Sequence, residues 1–412
     1  MPPTTMNMGY IYVTLTLKAH QSKAVILHLS LNCTFSLRAR ASSGSRLLKA
    51  ASATESLSQS LKRTNTEPQG PRDEQRTIGP ELSETISETS IDPSLQKDKG
   101  NFLFLNAETG EVRYKIPPSK ERVRLNRLRL LNHLSTGLDI QWGKSVVSYE
   151  DLPDGTIKVH FRDGSSATGS MLVGCDGSNS KVRHSLIKDE QKSNLTTLPI
   201  KCTGVVRHFT PDEGAEPRSV DPLLFMGLQP KTSNFLWYSV QDVLSFDALV
   251  MISWPVKDEE KDAIPPTKRL CVANMKERAK GFYGTFRRIV EGIPDDSESV
   301  TSLTLADFPV LDWESNHNVA LAGDAVHAMT MYRGEGANHG ILDAALLVDQ
   351  LAEVQNGELS QAAAIEAYEK EMKVRGAGAV FKSRQACLDA HCWELINDDC
   401  PLIGGRWPPA TA

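Results

Sequence analysis

Residues Asn318 to Leu351 read NVALAGDAVHAMTMYRGEGANHGILDAALLVDQL, and this stretch decides the fold. The apolar run Val319 to Ala322 predicts a short buried strand that ends at Gly323-Asp324. A glycine-rich loop follows, and a long helix is expected to begin near Ala337. That order sets one carboxylate, Asp324, at a strand's C-terminal end, where it can accept hydrogen bonds from the hydroxyls of a sugar or similar polyol. Gly334 and Gly336 let the backbone approach a flat ligand with no Cβ in the way. The helix start at Ala337 offers unpaired N–H groups and the positive end of a dipole. A plain structural turn is the competing reading of the same residues.

Working toward the N-terminus, Val146 to Tyr149, Thr156 to Phe161 and Ala167 to Val173 read as three short strands. Asp154-Gly155 and Asp163-Gly164 stand between them as hairpin turns. The third strand runs into MLVGCDGSNSKVR, Met171 to Arg183, a polar turn around Asp176 and Gly177. Arg183 and the N–H groups of that turn can offer positive charge to phosphate oxygens. Further back, RLRLLNHL (Arg127 to Leu134) predicts a helix with Leu130, Leu131 and Leu134 toward a core. Residues 199 to 255 carry strand-like runs, including GVVRHF and NFLWYSV. Helical patterns dominate after Gly340.

The chain has 412 residues, 40% hydrophobic and 24% charged, with a formal net charge of -5. Such a charge gives no reason to expect nucleic acid as a partner. No run reaches the ~18 to 20 apolar residues of a bilayer span. The seven cysteines are scattered and form no CxxC, so the tail Cys387, His391, Cys392, Cys400 is read as free thiols in a reducing cytoplasm and not as a metal site.

The string from Asn318 to Leu351 closely resembles the second FAD fingerprint of single-component flavin hydroxylases, with Met331 where that family usually has Pro. MLVGCDGSNSKVR resembles their DG fingerprint, and Arg127 matches the Arg that opens an RxxLxxxL helix and reaches the FAD; Arg129 is the alternative. The resemblance covers residues 101 to about 406 and is nearest to salicylate-hydroxylase-like FAD monooxygenases of fungal secondary metabolism. It implies an α/β fold: a Rossmann-like FAD-binding domain, an inserted β-sheet substrate domain and C-terminal helices. The expected division is 101–195 and 306–412 for the FAD-binding part and 196–305 for the substrate sheet. It also implies the chemistry. NADH or NADPH reduces FAD, molecular oxygen adds as a flavin C4a-hydroperoxide, and one oxygen is transferred to a small aromatic or polyketide-like substrate. The implied FAD-binding residues are Arg127, Asp176, Gly177, Asp324, Gly334, Gly336 and Ala337.

In related phenol hydroxylases an Arg and a Tyr of the substrate sheet hold the phenolate, which makes Arg207 and Tyr238 the catalytic candidates; a surface Arg and a core Tyr are the competing readings. His327 is expected to pack under the Gly-Asp loop. A flavin reductase without oxygen insertion, or a cofactor-free remnant, is the alternative function. A flavin halogenase would carry WxWxIP, and none of the six Trp residues forms WxW.

The family opens with a strand, GxGxxG and a helix that holds the FAD pyrophosphate. Residues 1 to 99 contain only Gly9, Gly44, Gly70 and Gly79, in no such arrangement. The first 54 residues lack Asp and Glu, as in a mitochondrial transit peptide, and 55 to 100 are polar enough to predict disorder. A misread gene start or a degenerate paralogue accounts for the difference. Without that segment, a sheet edge is expected to stay unpaired, and FAD binding to weaken by roughly 5 to 9 kcal/mol from three lost charge-assisted bonds.

Overall fold

The computed structural model describes residues 11–16, 23–27, 35–37, 86–92, 102–116, 123–136, 138 and 140–404. Gly9, Gly44, Gly70 and Gly79, and with them the reading of the missing glycine turn, lie outside the described residues.

In chain order the strands are β1 (Ile11–Thr16), β2 (Lys23–Leu27), β3 (Phe35–Leu37), β4 (Phe102–Asn106), β5 (Val112–Ile116), β6 (Val123–Leu125), β7 (Ile140–Trp142), β8 (Val146–Asp151), β9 (Ile157–Phe161), β10 (Ser166–Gly169), β11 (Met171–Gly174), β12 (Thr196–His208), β13 (Leu224–Leu228), β14 (Phe235–Asp242), β15 (Asp247–Pro255), β16 (Val300–Asp307) and β17 (Val319–Leu321). The helices are α1 (Arg127–Ser135), α2 (Lys181–Leu186), α3 (Glu190–Ser193), α4 (Pro211–Val220), α5 (Lys268–Arg278), α6 (Gly284–Glu291), α7 (Asp324–His327), α8 (Gly336–Gln355) and α9 (Gln361–Asp389).

Two sheets carry the α/β architecture. The first has the order β17-β11-β2-β1-β7. In it β11 runs parallel to both β17 and β2, with Val173 opposite Ala320 and Ile26. All four residues of β11 and all three of β17 are buried, as strands covered on both faces must be. A sheet edge is expected to stay unpaired where a strand is missing, whereas β11 is paired on both sides. Lys23–Leu27 supplies parallel hydrogen bonds there, and β1 pairs antiparallel behind it. Parallel pairing needs a partner far off in sequence, which local composition does not reveal.

The stretch read as one strand, Ala167 to Val173, is two. β10 pairs with β9 in a meander with β8, while β11 enters the parallel sheet. The break falls at Ser170, where the chain changes sheets. The two turns of the meander are built as expected: Gly155 and Gly164 have φ of 80° and 83°, and Asp154 and Asp163 each accept a backbone N–H two residues on.

The second sheet has the order β16-β12-β15-β14-β13-β4-β5. Phe102–Ile116, expected in the FAD-binding part, belongs here, because β4 pairs parallel with β13. The short segment Thr89–Asp92 also departs from the disorder expected of 55 to 100. Ile91 is 2% exposed in the core, and its N–H donates to Arg124 O. One core lies on the seven-stranded sheet, and a second lies between β11, β17 and α9. Among the described residues no helix is long and apolar enough to cross a membrane.

Candidate functional site

Strand β17 ends at Gly323, whose φ of 62° and ψ of -143° are open to glycine and strained for other residues. The chain turns there into α7, so Asp324 leaves the C-terminal end of the parallel sheet. After a 3-10 turn, Met331–Arg333, Gly334 takes the left-handed conformation at φ 65° and α8 begins at Gly336. The loop returns on itself: a Cβ placed on Gly336 would stand 3.8 Å from Asp324 Oδ1 and 3.5 Å from Met329 Cγ. Among the described residues nothing lies within 4 Å of the equivalent point on Gly334. The sequence reading put these residues on one loop, and the structure brings them to one place.

Three observations describe what this place can hold. Burial raises the Asp324 carboxyl above its ordinary value, against the pull of His327. No protein hydrogen bond to that carboxylate is formed among the described residues. Among the described residues helix α8 has no side-chain cap, so its first N–H groups remain available, and Asn338 Oδ1 in the first turn is buried with no partner. An acceptor, a set of donors and a glycine surface suit a ligand with hydroxyls and a flat polar ring. FAD fits that description. Asn338 escaped the sequence reading, since nothing local says that its amide is buried.

The DG segment meets the same site from behind. Asp176 accepts from Ser180 Oγ, from Lys181 N at 2.6 Å and from Val182 N at 3.2 Å, so its carboxylate caps α2. Gly177 has a φ of 79° and shapes the turn. Arg183 does not offer its charge to a ligand as expected. Its guanidinium is fully buried, donates to the carbonyls of Ser193, Ala325 and Ser178, and stacks on Phe308 at 4.3 Å. Arg127 opens α1 as predicted, with Leu130 buried at 1% and Leu131 and Leu134 partly so. The alternative, Arg129, is bound to Asp242 at 2.5 Å and to Ser90 O at 2.8 Å.

Arg207 and Tyr238, the expected catalytic pair, share one face of the seven-stranded sheet. Tyr238 and Val205 both stand opposite Val250, and Arg207 follows Val205 by two, so their side chains share one face. That face packs on helices. Arg207 donates to Ile289 O near the end of α6 at 2.8 Å and to Glu213 at 2.6 Å. Tyr238 stacks on Phe225 at 4.8 Å, Phe225 touches Phe286 of α6, and burial pushes the phenol up to about 12. Against the competing readings, the Arg is buried and not on the surface, and the Tyr is in the core.

The other face looks toward the Gly-Asp loop. Trp237 lies opposite Met226 and Met251, and Phe235 lies opposite Ser253. Tyr332 of the loop donates to Ser253 Oγ at 2.7 Å, and Ser253 meets His391 Nε2 at 2.9 Å. The His391 ring is neutral, its pKa pushed down to about 4 by burial. Trp237, Met226 and Met251, with partly buried Leu249 and Met331, make this face strongly apolar. His327, as expected, is fully buried under the loop. Among the described residues no cluster of His, Cys, Asp or Glu is arranged to hold a metal; His391 and Cys400 are bonded to Ser253 and Asp389.

A parallel sheet whose strand ends in a half-buried carboxylate beside a glycine-rich helix start, with a second sheet facing it, defines an α/β fold suited to a flavin cofactor. Residues 121–383 match the family model described as FAD binding domain. The FAD-dependent monooxygenase dbaB of Emericella nidulans is 40% identical over 281 residues, 65% of this chain and 70% of that protein. The FAD-dependent monooxygenase cctM of Talaromyces islandicus is 32% identical over 330 residues, 79% of this chain and 82% of that protein. A salicylate hydroxylase substrate complex has the same fold, with a TM-score of 0.59, 17% identity and 85% of each chain covered. The 2,6-dihydroxypyridine-3-hydroxylase of Arthrobacter nicotinovorans is similar in fold, at 0.60, 16% identity, 81% of this chain and 88% of its own. The chain belongs to the FAD-binding-domain family and is an FAD-dependent monooxygenase of the aromatic hydroxylase group.

Proposed function

We propose that this enzyme takes electrons from NADH or NADPH and inserts one atom of O2 into a small aromatic or polyketide-like secondary metabolite, by hydroxylation or epoxidation. The observation that carries the reading is Asp324, a half-buried carboxylate with no hydrogen-bond partner among the described residues, facing Gly336 across a glycine loop. Bound FAD supplies the difficult chemistry: two-electron reduction and activation of oxygen for transfer of one atom.

The chain's own residues bind, orient and exclude water. Asp324 accepts hydrogen bonds from FAD hydroxyls. Gly334 and Gly336 would let the backbone approach a flat ring, and the N–H of Ala337 with the amide of Asn338 would offer it polar groups. Arg127 reaches the cofactor from the start of α1. Gly177 shapes the DG turn, which would face the nicotinamide donor, while Asp176 holds that turn on α2. The substrate lies on Trp237, Met226 and Met251, whose apolar surface suits a polycyclic aromatic. Arg207 and Tyr238 have no part in this version of the site, because their side chains are spent on helix packing.

The test loads the purified chain with FAD and supplies NADH or NADPH under isotopically labelled O2 with a panel of phenols, naphthols and polyketide-type aromatics. Labelled oxygen in a product supports the proposal. Pyridine nucleotide oxidation with no label in any product points to a flavin oxidoreductase without oxygen insertion.

A further inference from the structure

Asp343, twenty residues along the chain from Gly323, is fully buried on α8, where an isolated carboxylate is costly. Its two oxygens take three donors. Oδ2 accepts the N–H of Gly323 at 2.7 Å and lies 2.6 Å from His327 Nε2, while Oδ1 accepts Arg375 of α9 at 2.7 Å. Arg375 is fixed in turn by Glu371 at 2.9 Å and by His339 Nδ1 at 3.0 Å. His327 is clamped: a Cβ on Gly376 would stand 3.3 Å from its ring. A Cβ on Gly340 would stand 3.2 Å from Gly323 Cα, so α8 also presses directly on the turn.

The network meets the turn at Gly323, whose conformation only glycine adopts without strain, and the next residue is Asp324. Stability alone gives little reason for such a network. A buried ion cluster is often no more stable than an apolar replacement, and its best use is to fix one geometry. A turn in a sparsely populated conformation persists when its surroundings over-determine it.

We propose that Asp343 is a positioning residue for FAD binding, which acts through the Gly323 N–H and His327 to aim the Asp324 carboxylate at the cofactor. Arg375 is the counter-charge that keeps Asp343 ionised and oriented. This inference rests on the reading of Asp324 as an FAD ligand.

The test is a double-mutant cycle on the full chain, read as the FAD dissociation constant from flavin fluorescence, with the melting temperature of each FAD-free variant recorded. Asp343→Asn keeps an acceptor for Gly323 but cannot also serve both His327 and Arg375. It is expected to weaken FAD binding about tenfold or more when Asp324 is present, and less than about threefold when Asp324 is already Ala. Arg375→Lys, which keeps the charge and loses the fork, should show the same coupling at smaller size, and it replaces Asp343→Asn if that variant fails to fold. Equal losses in both backgrounds would mean that the network only stabilises the fold, and would overturn the inference. A different result marks failure of the site itself: a wild-type chain that takes up no FAD, or an Asp324→Ala variant that binds as tightly as wild type, removes the ligand that Asp343 is said to aim.

Discussion

The guanidinium of Arg183 donates to the carbonyl of Ala325 at 2.8 Å and so ties the DG turn to the Gly-Asp turn, 142 residues further along the chain. The same group satisfies the carbonyls of Ser193 and Ser178. Burial lowers its pKa to about 10, which leaves it charged at neutral pH.

Arg183→Met should therefore strand three carbonyls and cost about 3 kcal/mol or more, at roughly 1 to 3 kcal/mol for each buried group left unpaired. Arg183→Lys should recover only part, since an ammonium lacks the planar fork. Chemical denaturation of the two variants beside wild type measures this. A loss under ~0.5 kcal/mol for Arg183→Met would contradict it.

For Arg207 and Tyr238 the expected outcome is structural. Arg207→Ala should destabilise the protein by about 3 kcal/mol, because it removes a buried donor from the end of α6 and leaves Glu213 without its partner. Turnover per bound flavin should stay near wild type in Arg207→Ala and in Tyr238→Phe. Trp237→Ala, on the opposite face, should instead raise KM for the substrate while FAD content holds. Steady-state kinetics normalised to bound flavin separates the two faces.

The choice between the two faces turns on adjacent positions. In NFLWYSV the alternation of a strand is plain, and it says that Trp237 and Tyr238 point opposite ways. It does not say which way the cofactor lies, and that depends on how β12 to β15 sit against the Gly-Asp loop. Asp324, Gly334 and Gly336 were legible because one short loop carries them all, with its chemistry written in residue type. Asp343 and Arg375 were not, since they meet across two helices and neither stands out from an ordinary helical charge pattern. Asn338 was hidden for a similar reason: burial of an amide is decided by packing. The pairing of β2 with β11 joins segments that stand, among the described residues, on either side of eight other strands and helix α1, and a polar, glycine-poor N-terminus gives no sign of it.

The buried histidines set an acid limit on stability. Burial pushes His391 down to about 4 and His339 to about 3, below an unfolded value of ~6.5. Between those values the unfolded chain binds more protons than the folded one, so stability falls as pH drops from about 6.5 toward 4. His327 has the opposite sign. Burial opposes its charge, but Asp343 raises its pKa overall, so its contribution is present in acid and lost as pH rises past its folded value. Melting temperature should thus climb from pH 4 to neutrality. His391→Gln should flatten that climb by one proton's worth, about 1.4 kcal/mol per pH unit. An unchanged slope would show that His391 does not titrate as its burial implies.

The central claim is that the turn from Gly323 to Gly336 holds FAD and that Asp324 is the carboxylate that grips it. The most direct measurement is the FAD dissociation constant of the full 412-residue chain and of Asp324→Ala, titrated side by side. Loss of one charged hydrogen-bond acceptor costs about 1.5 to 3 kcal/mol, so the variant should bind FAD roughly 10- to 150-fold more weakly with its melting temperature little changed. Equal affinities in the two proteins would contradict the account.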